Sequence, residues 1–193
     1  MSQLPYAIMD AAERRMRIGG FNGFSFRDIA ADVGVKSSTV HYHFPTKEDL
    51  AAAVIRRYTD SASKSIDQEL GTDFDPVSAW VQRFRRTLRS AEHMCPCAVL
   101  GTQTRGLSPG VAVEVQRFFK MCHEKMVAAG LAPASADKLL ATITGALVVA
   151  AATYDLDSYD RATSDLMNEL EAGKPNKNPQ SGKARPKKTR AGR

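Results

Sequence analysis

Residues 37–44 read Ser-Ser-Thr-Val-His-Tyr-His-Phe, a run of hydroxyls, imidazoles and a phenol without one carboxylate, ammonium or guanidinium. On a helix, Val40 and Phe44 are four apart and turn inward together, which leaves Ser37, Ser38, Thr39, His41, Tyr42 and His43 on the outer side. Such groups donate to phosphate oxygens and touch base edges, the two kinds of contact a helix lying in a DNA groove makes. Thr46 and Asp49 then form a T-x-x-D capping pair for the next helix, and Lys47 adds a cation beside its free backbone N–H groups, a seat for a phosphate. A second candidate is Cys95-Pro96-Cys97. C-x-C lacks the spacing of zinc ligands, and His93 and Cys122 would have to converge on it. Buried structural thiols are the plainer reading, with thiol sensing as the alternative. No nucleophile with a neighbouring base, no phosphate-binding glycine loop and no metal spacing is present in the sequence, so no catalytic residue, metal or cofactor is expected.

The groups on 37–44 work only if neighbouring elements hold them outward. Ser25 and Asp28 form an S-x-x-D capping box, after which Phe26, Ile29, Ala30 and Val33 share one helical face. Gly34 stands where the chain must reverse and a positive φ is needed; Val35 plugs the turn. Helix, glycine-bearing turn and second helix are the helix-turn-helix plan, although a plain helical hairpin with a polar face has the same spacing.

The rest of the chain is helical in period, with no useful strand-like alternation. Punctuation divides it into about nine helices. They are expected over about 5–20, 26–34, 38–44, 47–70, 76–93, a short one within 94–107, 109–130, 133–154 and 158–171. Asp75-Pro76 and Ser108-Pro109 are cap-then-proline start signals. From Ala172 onward Gly, Pro, Asn, Ser and Lys dominate, and disorder is expected. The fold class is therefore all-α: an N-terminal three-helix unit over 1–47, a helical bundle over 48–171 and a basic tail over 172–193.

The chain has 193 residues and a formal charge of +6. The tail alone holds eight Lys or Arg and no acid, so the other residues sum to −2 and the basic balance is a property of the tail. Such a tail is either solvated and dispensable or a non-specific grip on phosphates. Three cysteines argue against a disulfide framework. The opening residues lack a secretory pattern, and the most apolar segment, Leu139 to Ala152, is too short to cross a bilayer, so a soluble cytoplasmic protein without membrane contact is expected.

Residues 7–58 resemble the DNA-binding domain of the TetR/AcrR family of bacterial transcriptional regulators. The resemblance rests on Ile8, Asp10, Ala11, Ala12, Gly20, Phe21, Ser25, Arg27-Asp28-Ile29-Ala30, Gly34-Val35 and Thr39 through Leu50, with Tyr42-His43-Phe44-Pro45-Thr46-Lys47-Glu48-Asp49-Leu50 its most specific piece. It implies a nine-helix fold, a homodimer, and relief of DNA binding by a small ligand in the C-terminal domain. It further implies that Thr39, Tyr42, His43 and Lys47 contact double-stranded DNA, mainly its phosphates, and that Arg27, Ser37 and Ser38 lie at the groove. His41 stands where the family usually has Tyr, and Ser38 where Gly or Pro is common.

In the bundle, Trp80, Phe84 and Leu88 form one stripe, and Val111, Val115, Phe118, Cys122 and Met126 another; by packing alone both are core. The resemblance implies a cavity among them, lined by Trp80, Phe84, Phe118, Met121 and Met126 and suited to an apolar effector. Arg83, Arg85, Arg86 and Arg89 read as a solvated face, one of which could meet an acidic ligand. Leu139–Ala152 is apolar nearly all round, which a chain of this size can bury only against a second copy, so a homodimer through about 134–171 is expected. Together these readings describe a ligand-responsive regulator, a repressor on a palindromic operator, and not an enzyme. The alternative is a helical small-molecule-binding protein or enzyme whose N-terminal hairpin is purely structural.

Overall fold

The computed structural model describes residues 3–71, 75–89 and 94–166. Its elements are α1 (Leu4–Gly19), α2 (Phe26–Val33), α3 (Ser37–His43), α4 (Lys47–Leu70), α5 (Pro76–Arg89), α6 (Pro96–Gly101), α7 (Pro109–Ala128), α8 (Pro133–Thr153) and α9 (Asp157–Thr163), with single 3-10 turns at Gly20–Gly23 and Thr104–Gly106. There is no strand among the described residues, so the expected all-α class holds. The expected ends of the fifth and last helices, together with His93 and the basic tail, lie outside the described residues.

Local chemistry sets the helix ends. Ser25 Oγ accepts from the Asp28 N–H while Asp28 accepts from the Ser25 N–H at 2.9 Å, a complete capping box. Thr46 and Asp49 repeat it at the start of α4. Asp75 caps α5 by accepting from the Ser78 N–H at 2.8 Å. Ser108, by contrast, makes no side-chain cap; Pro109 alone, with its fixed φ and missing N–H, starts α7. Gly34 takes φ +75°, and the Val35 N–H reaches back to the Ala30 carbonyl at 2.9 Å, closing α2 in a Schellman turn that only glycine adopts without strain.

The first three helices close over Ile8, Ala11, Ala12, Met16, Phe24, Phe26, Ile29, Ala30, Val40 and Phe44, all buried. Helix α4 packs on α1 and also on α5 and α7, so one long helix serves both units. Its seam with α7 is flanked by Arg56–Glu114 at 2.6 Å, Arg117–Asp60 and Lys125–Asp67. Helix α8 packs on α5, α7 and α9. The Tyr159 hydroxyl donates to the Val81 carbonyl at 2.9 Å and Arg85 pairs with Asp160, which fastens α9 to α5.

Helix α8 is long and apolar enough to cross a membrane, a property it shares with core helices of soluble proteins. Ala136, Leu139, Ile143, Ala146, Leu147 and Ala150 turn inward, while Ala141, Gly145, Val148, Val149 and Ala152 face outward. Just beyond its end Tyr154, at φ +56°, stands 93% exposed.

Candidate nucleic-acid interface

On α3, Val40 and Phe44 are buried and Ser38, His41 and Tyr42 are exposed, with Ser37, Thr39 and His43 half-exposed between them. Tyr42 is 84% exposed, an unusual state for a large aromatic on a well-packed helix. Its ring stands edge-on to His43 at 5.2 Å, and the His41 ring meets Phe26 edge-on at 4.4 Å, so contacts with neighbouring rings orient two of the outward groups. Arg27, on the first turn of α2, is exposed and has no ion pair among the described residues.

Three of the acids near this face are engaged within the fold. Asp28 and Asp49 serve the two capping boxes, and Asp32 is held by Arg15 at 2.6 Å. The hydrogen bonds from Ser25 hold the Asp28 carboxyl below the ordinary range, and the Arg15 guanidinium does the same for Asp32.

Lys47 is half-buried, with its ammonium 4.6 Å from the Phe21 ring centre and 4.7 Å from that of Phe24. No local signal in the sequence marks this aromatic cradle, because Phe21 and Phe24 stand far before Lys47 along the chain. Lys36 was also overlooked: it is exposed and forms the N-cap position of α3, immediately before Ser37 and Ser38. Its place one residue outside the helix was the available signal.

The cavity expected in the bundle lies between α4, α5, α6 and α7. It is lined by Tyr58, Ala62, Trp80, Arg83, Phe84, Thr87, Cys95, Phe118 and Cys122, and its volume is about 10 Å³, no more than a single water needs, so the walls are nearly closed on each other. Trp80, Phe84 and Phe118 stand together in this lining. Met121 and Met126 are not in the lining: Met126 is buried one helical turn past Cys122, and Met121 is half-buried on a neighbouring face of α7. The four arginines of α5 do not form one solvated face. Arg85 and Arg86 pair with Asp160 and Glu69, while Arg83, three residues after Trp80, turns to the cavity.

All three cysteines are free and buried. Burial raises the Cys95 thiol, but hydrogen bonds from Cys97, Tyr58 and the N–H groups of Ala98 and Cys97 outweigh it and bring it to about 7. Burial pushes Cys97 and Cys122 the other way.

The cavity reaches the N-terminal unit through one arginine. Arg17, on α1, donates to the Met94 carbonyl at 2.6 Å and to Glu13 at 2.8 Å, and its guanidinium lies 5.2 Å from the ring centre of Tyr58, a cavity wall. A second link is Gln103, whose Oε1 accepts from the Phe21 N–H at 3.3 Å. Gly20 adopts φ +62° there, and a Cβ on it would stand 2.7 Å from that oxygen.

Comparison with known proteins matches residues 8–54 to the model of the family described as bacterial regulatory proteins, tetR family. The HTH-type transcriptional regulator LmrA of Bacillus subtilis (strain 168) is 25% identical over 118 residues, 61% of this chain and 62% of that protein, so the match spans less than two thirds of that relative. A TetR-family transcriptional regulator from Agrobacterium tumefaciens superimposes with a TM-score of 0.77 at 27% identity, covering 86% of this chain and 96% of that one. A TetR transcriptional regulator from Legionella pneumophila shares the fold at a TM-score of 0.77 and 24% identity, over 88% of this chain and 98% of its own.

Proposed function

We propose that this chain, which belongs to the TetR family of bacterial transcriptional regulators, is a cytoplasmic repressor that binds a palindromic operator as a homodimer and lets go when a small molecule enters the α4–α7 cavity. The observation that carries the DNA side is the outward face of α3, above all the 84% exposed Tyr42, set on a frame in which Asp28, Asp32 and Asp49 are already engaged. In this reading Ser37, Ser38, Thr39, His41 and Tyr42 enter the major groove, and Arg27, His43 and Lys47 hold flanking phosphates.

The apolar outer face of α8 supports the dimer. Ala141, Gly145 and Ala152 allow close approach of a second helix, and Val148 and Val149, 40% and 53% exposed, supply apolar area that a partner copy would cover. Two copies of α3 would then read half-sites about a helical turn apart, ~34 Å. The nearly closed cavity supports release by ligand. A molecule larger than water must part α4, α5 and α7, and α4 carries Lys47 at its first turn while Arg17 bears on Tyr58 and Met94. Binding and opening are then two states with different DNA-reading geometry, which is a coupling between sites.

Selecting bound fragments from random duplex is the test. A recovered inverted repeat supports the reading, as does a loss of affinity for it of tenfold or more in Tyr42→Ala with Lys47→Ala. If the paired substitution leaves affinity unchanged, α3 is not the reading helix. A sedimentation result of monomer at micromolar concentration would refute the dimer.

A further inference from the structure

We propose that the molecule taken into the α4–α7 cavity is a small apolar acid, its carboxylate received by the Arg83 guanidinium and the Trp80 indole N–H and its body by the aromatic walls. The proposal rests on the reading of this cavity as the effector site, and adds the chemistry of the effector.

Two buried donors in the lining have no partner. Trp80 is 2% exposed and its Nε1 makes no hydrogen bond; Arg83 Nε is likewise buried and unpaired. They lie three residues apart on α5, hence on adjoining positions of one face, and both residues border the same cavity. The only hydrogen bond that the Arg83 guanidinium makes among the described residues is a long one, from Nη1 to the Thr87 hydroxyl at 3.4 Å. Arg85 and Arg86 on the same helix have Asp160 and Glu69; among the described residues no Asp or Glu lines the cavity, so Arg83 meets no carboxylate there. Cys95 is engaged by Tyr58, Cys97 and two backbone N–H groups, and neither Trp80 Nε1 nor Arg83 Nε donates to it.

The chemistry of the missing partner follows. Indole and guanidinium nitrogens donate and cannot accept, so the ligand's polar end must accept. A carboxylate offers two oxygens to the two donors and the opposite charge to the guanidinium, which an alcohol, amide or amine does not. The other walls are Ala62, Phe84, Phe118 and the Tyr58 ring, with Tyr58 and Phe118 centred 5.6 Å apart, so the remainder of the ligand is apolar. The apolar effector expected from the sequence is thereby given an anionic end, and of the α5 arginines left open there as partners of an acidic ligand, Arg83 is the one that lines the cavity.

The chain carries its own reporter, since Trp80 is its single tryptophan. The full-length protein, without DNA, is titrated with benzoate, 4-phenylbutyrate and octanoate, and with the alcohol and amine matching each, by Trp80 fluorescence and calorimetry. The expected result is saturable binding of at least one acid, tenfold or more tighter than its alcohol, with the amines not binding. Arg83→Met should erase that preference by weakening the acid and leaving the alcohol unchanged. Trp80→Phe, followed by calorimetry, should weaken the same acid and covers the case in which Arg83→Met does not fold. Acids binding no better than alcohols would overturn the proposal. So would a preference lost in Arg86→Met and retained in Arg83→Met, which would put the carboxylate in the open groove of Ser65, Glu69, Ser78 and Arg86 instead. Release of the selected operator is measured separately. An Arg83-dependent acid that leaves DNA bound keeps the ligand class and sinks the regulatory reading of the cavity.

Discussion

The outer face of α3 and the inner flank of α5 both hold hydrogen-bonding groups that the protein does not use, and they differ in where water stands. Around Ser38, His41 and Tyr42 solvent satisfies every donor and acceptor, so the surplus costs the fold nothing and is available to a duplex. Around Trp80 Nε1 and Arg83 Nε there is no solvent, so the surplus is a standing penalty that a bound molecule would remove. Substitutions on the first surface should therefore change binding and spare stability. Substitutions on the second should change stability by themselves, in either direction.

The largest effect expected is at the wall of the cavity. Phe118→Ala removes a buried ring, 2% exposed, that packs against Tyr58 and Phe119, and should lower unfolding free energy by about 3–5 kcal/mol, read by denaturant titration. Tyr42→Ala should do the reverse of this. Duplex affinity falls about tenfold, ~1.4 kcal/mol, while stability moves by less than ~0.5 kcal/mol; a large drop in stability would break the contrast. Arg83→Met sharpens it further, because exchanging an unpaired buried donor for an apolar chain of similar length should leave stability unchanged or raise it by about 1 kcal/mol. A clear loss would mean that Arg83 is satisfied in the resting protein.

The smallest effect is in acid. Asp28 and Asp32 beneath α3, and Asp160 in the bundle, are held below the ordinary carboxylate range by Ser25, Arg15 and Arg85 respectively. Their folded values lie below their unfolded ones, so their contribution is fully present above the unfolded value (~3.9) and is lost as pH falls through the folded ones. From these groups, Tm should be flat between pH 7 and 5 and decline below about pH 4. Amide exchange should show α2 loosening with its cap.

The helix-turn-helix unit was almost fully legible in the sequence because its signals are local. Ser25 with Asp28, Gly34, and Thr46 with Asp49 each specify an event within a few residues, and Val40 with Phe44 settles which side of α3 is free. The cavity was legible only in part. Trp80, Phe84 and Phe118 share helical periodicity with its walls, but the stripe on α7 turns Met126 into core one turn beyond, and no local signal marks where a cavity ends along a helix. Arg83 could not be separated from Arg85 and Arg86 by pattern, since what distinguishes them is the position of Asp160 and Glu69, respectively 75 and 17 residues away in sequence. Tyr58 and Cys95 escaped for the same reason. Each is an ordinary helix or loop residue until the chain before α6 brings the Cys95 thiol to the Tyr58 hydroxyl.

The placement of Lys47 over Phe21 and Phe24 has a thermodynamic corollary. A lysine ordinarily gives up about 2 kcal/mol of rotamer entropy when a phosphate immobilises it. This one is restrained in advance by two ring faces on the connection that Gln103 grips from the bundle. Most of that loss falls during folding, so complex formation should carry a smaller entropic debit than an unrestrained lysine imposes, and any shift of Gln103 would hand the side chain its freedom back.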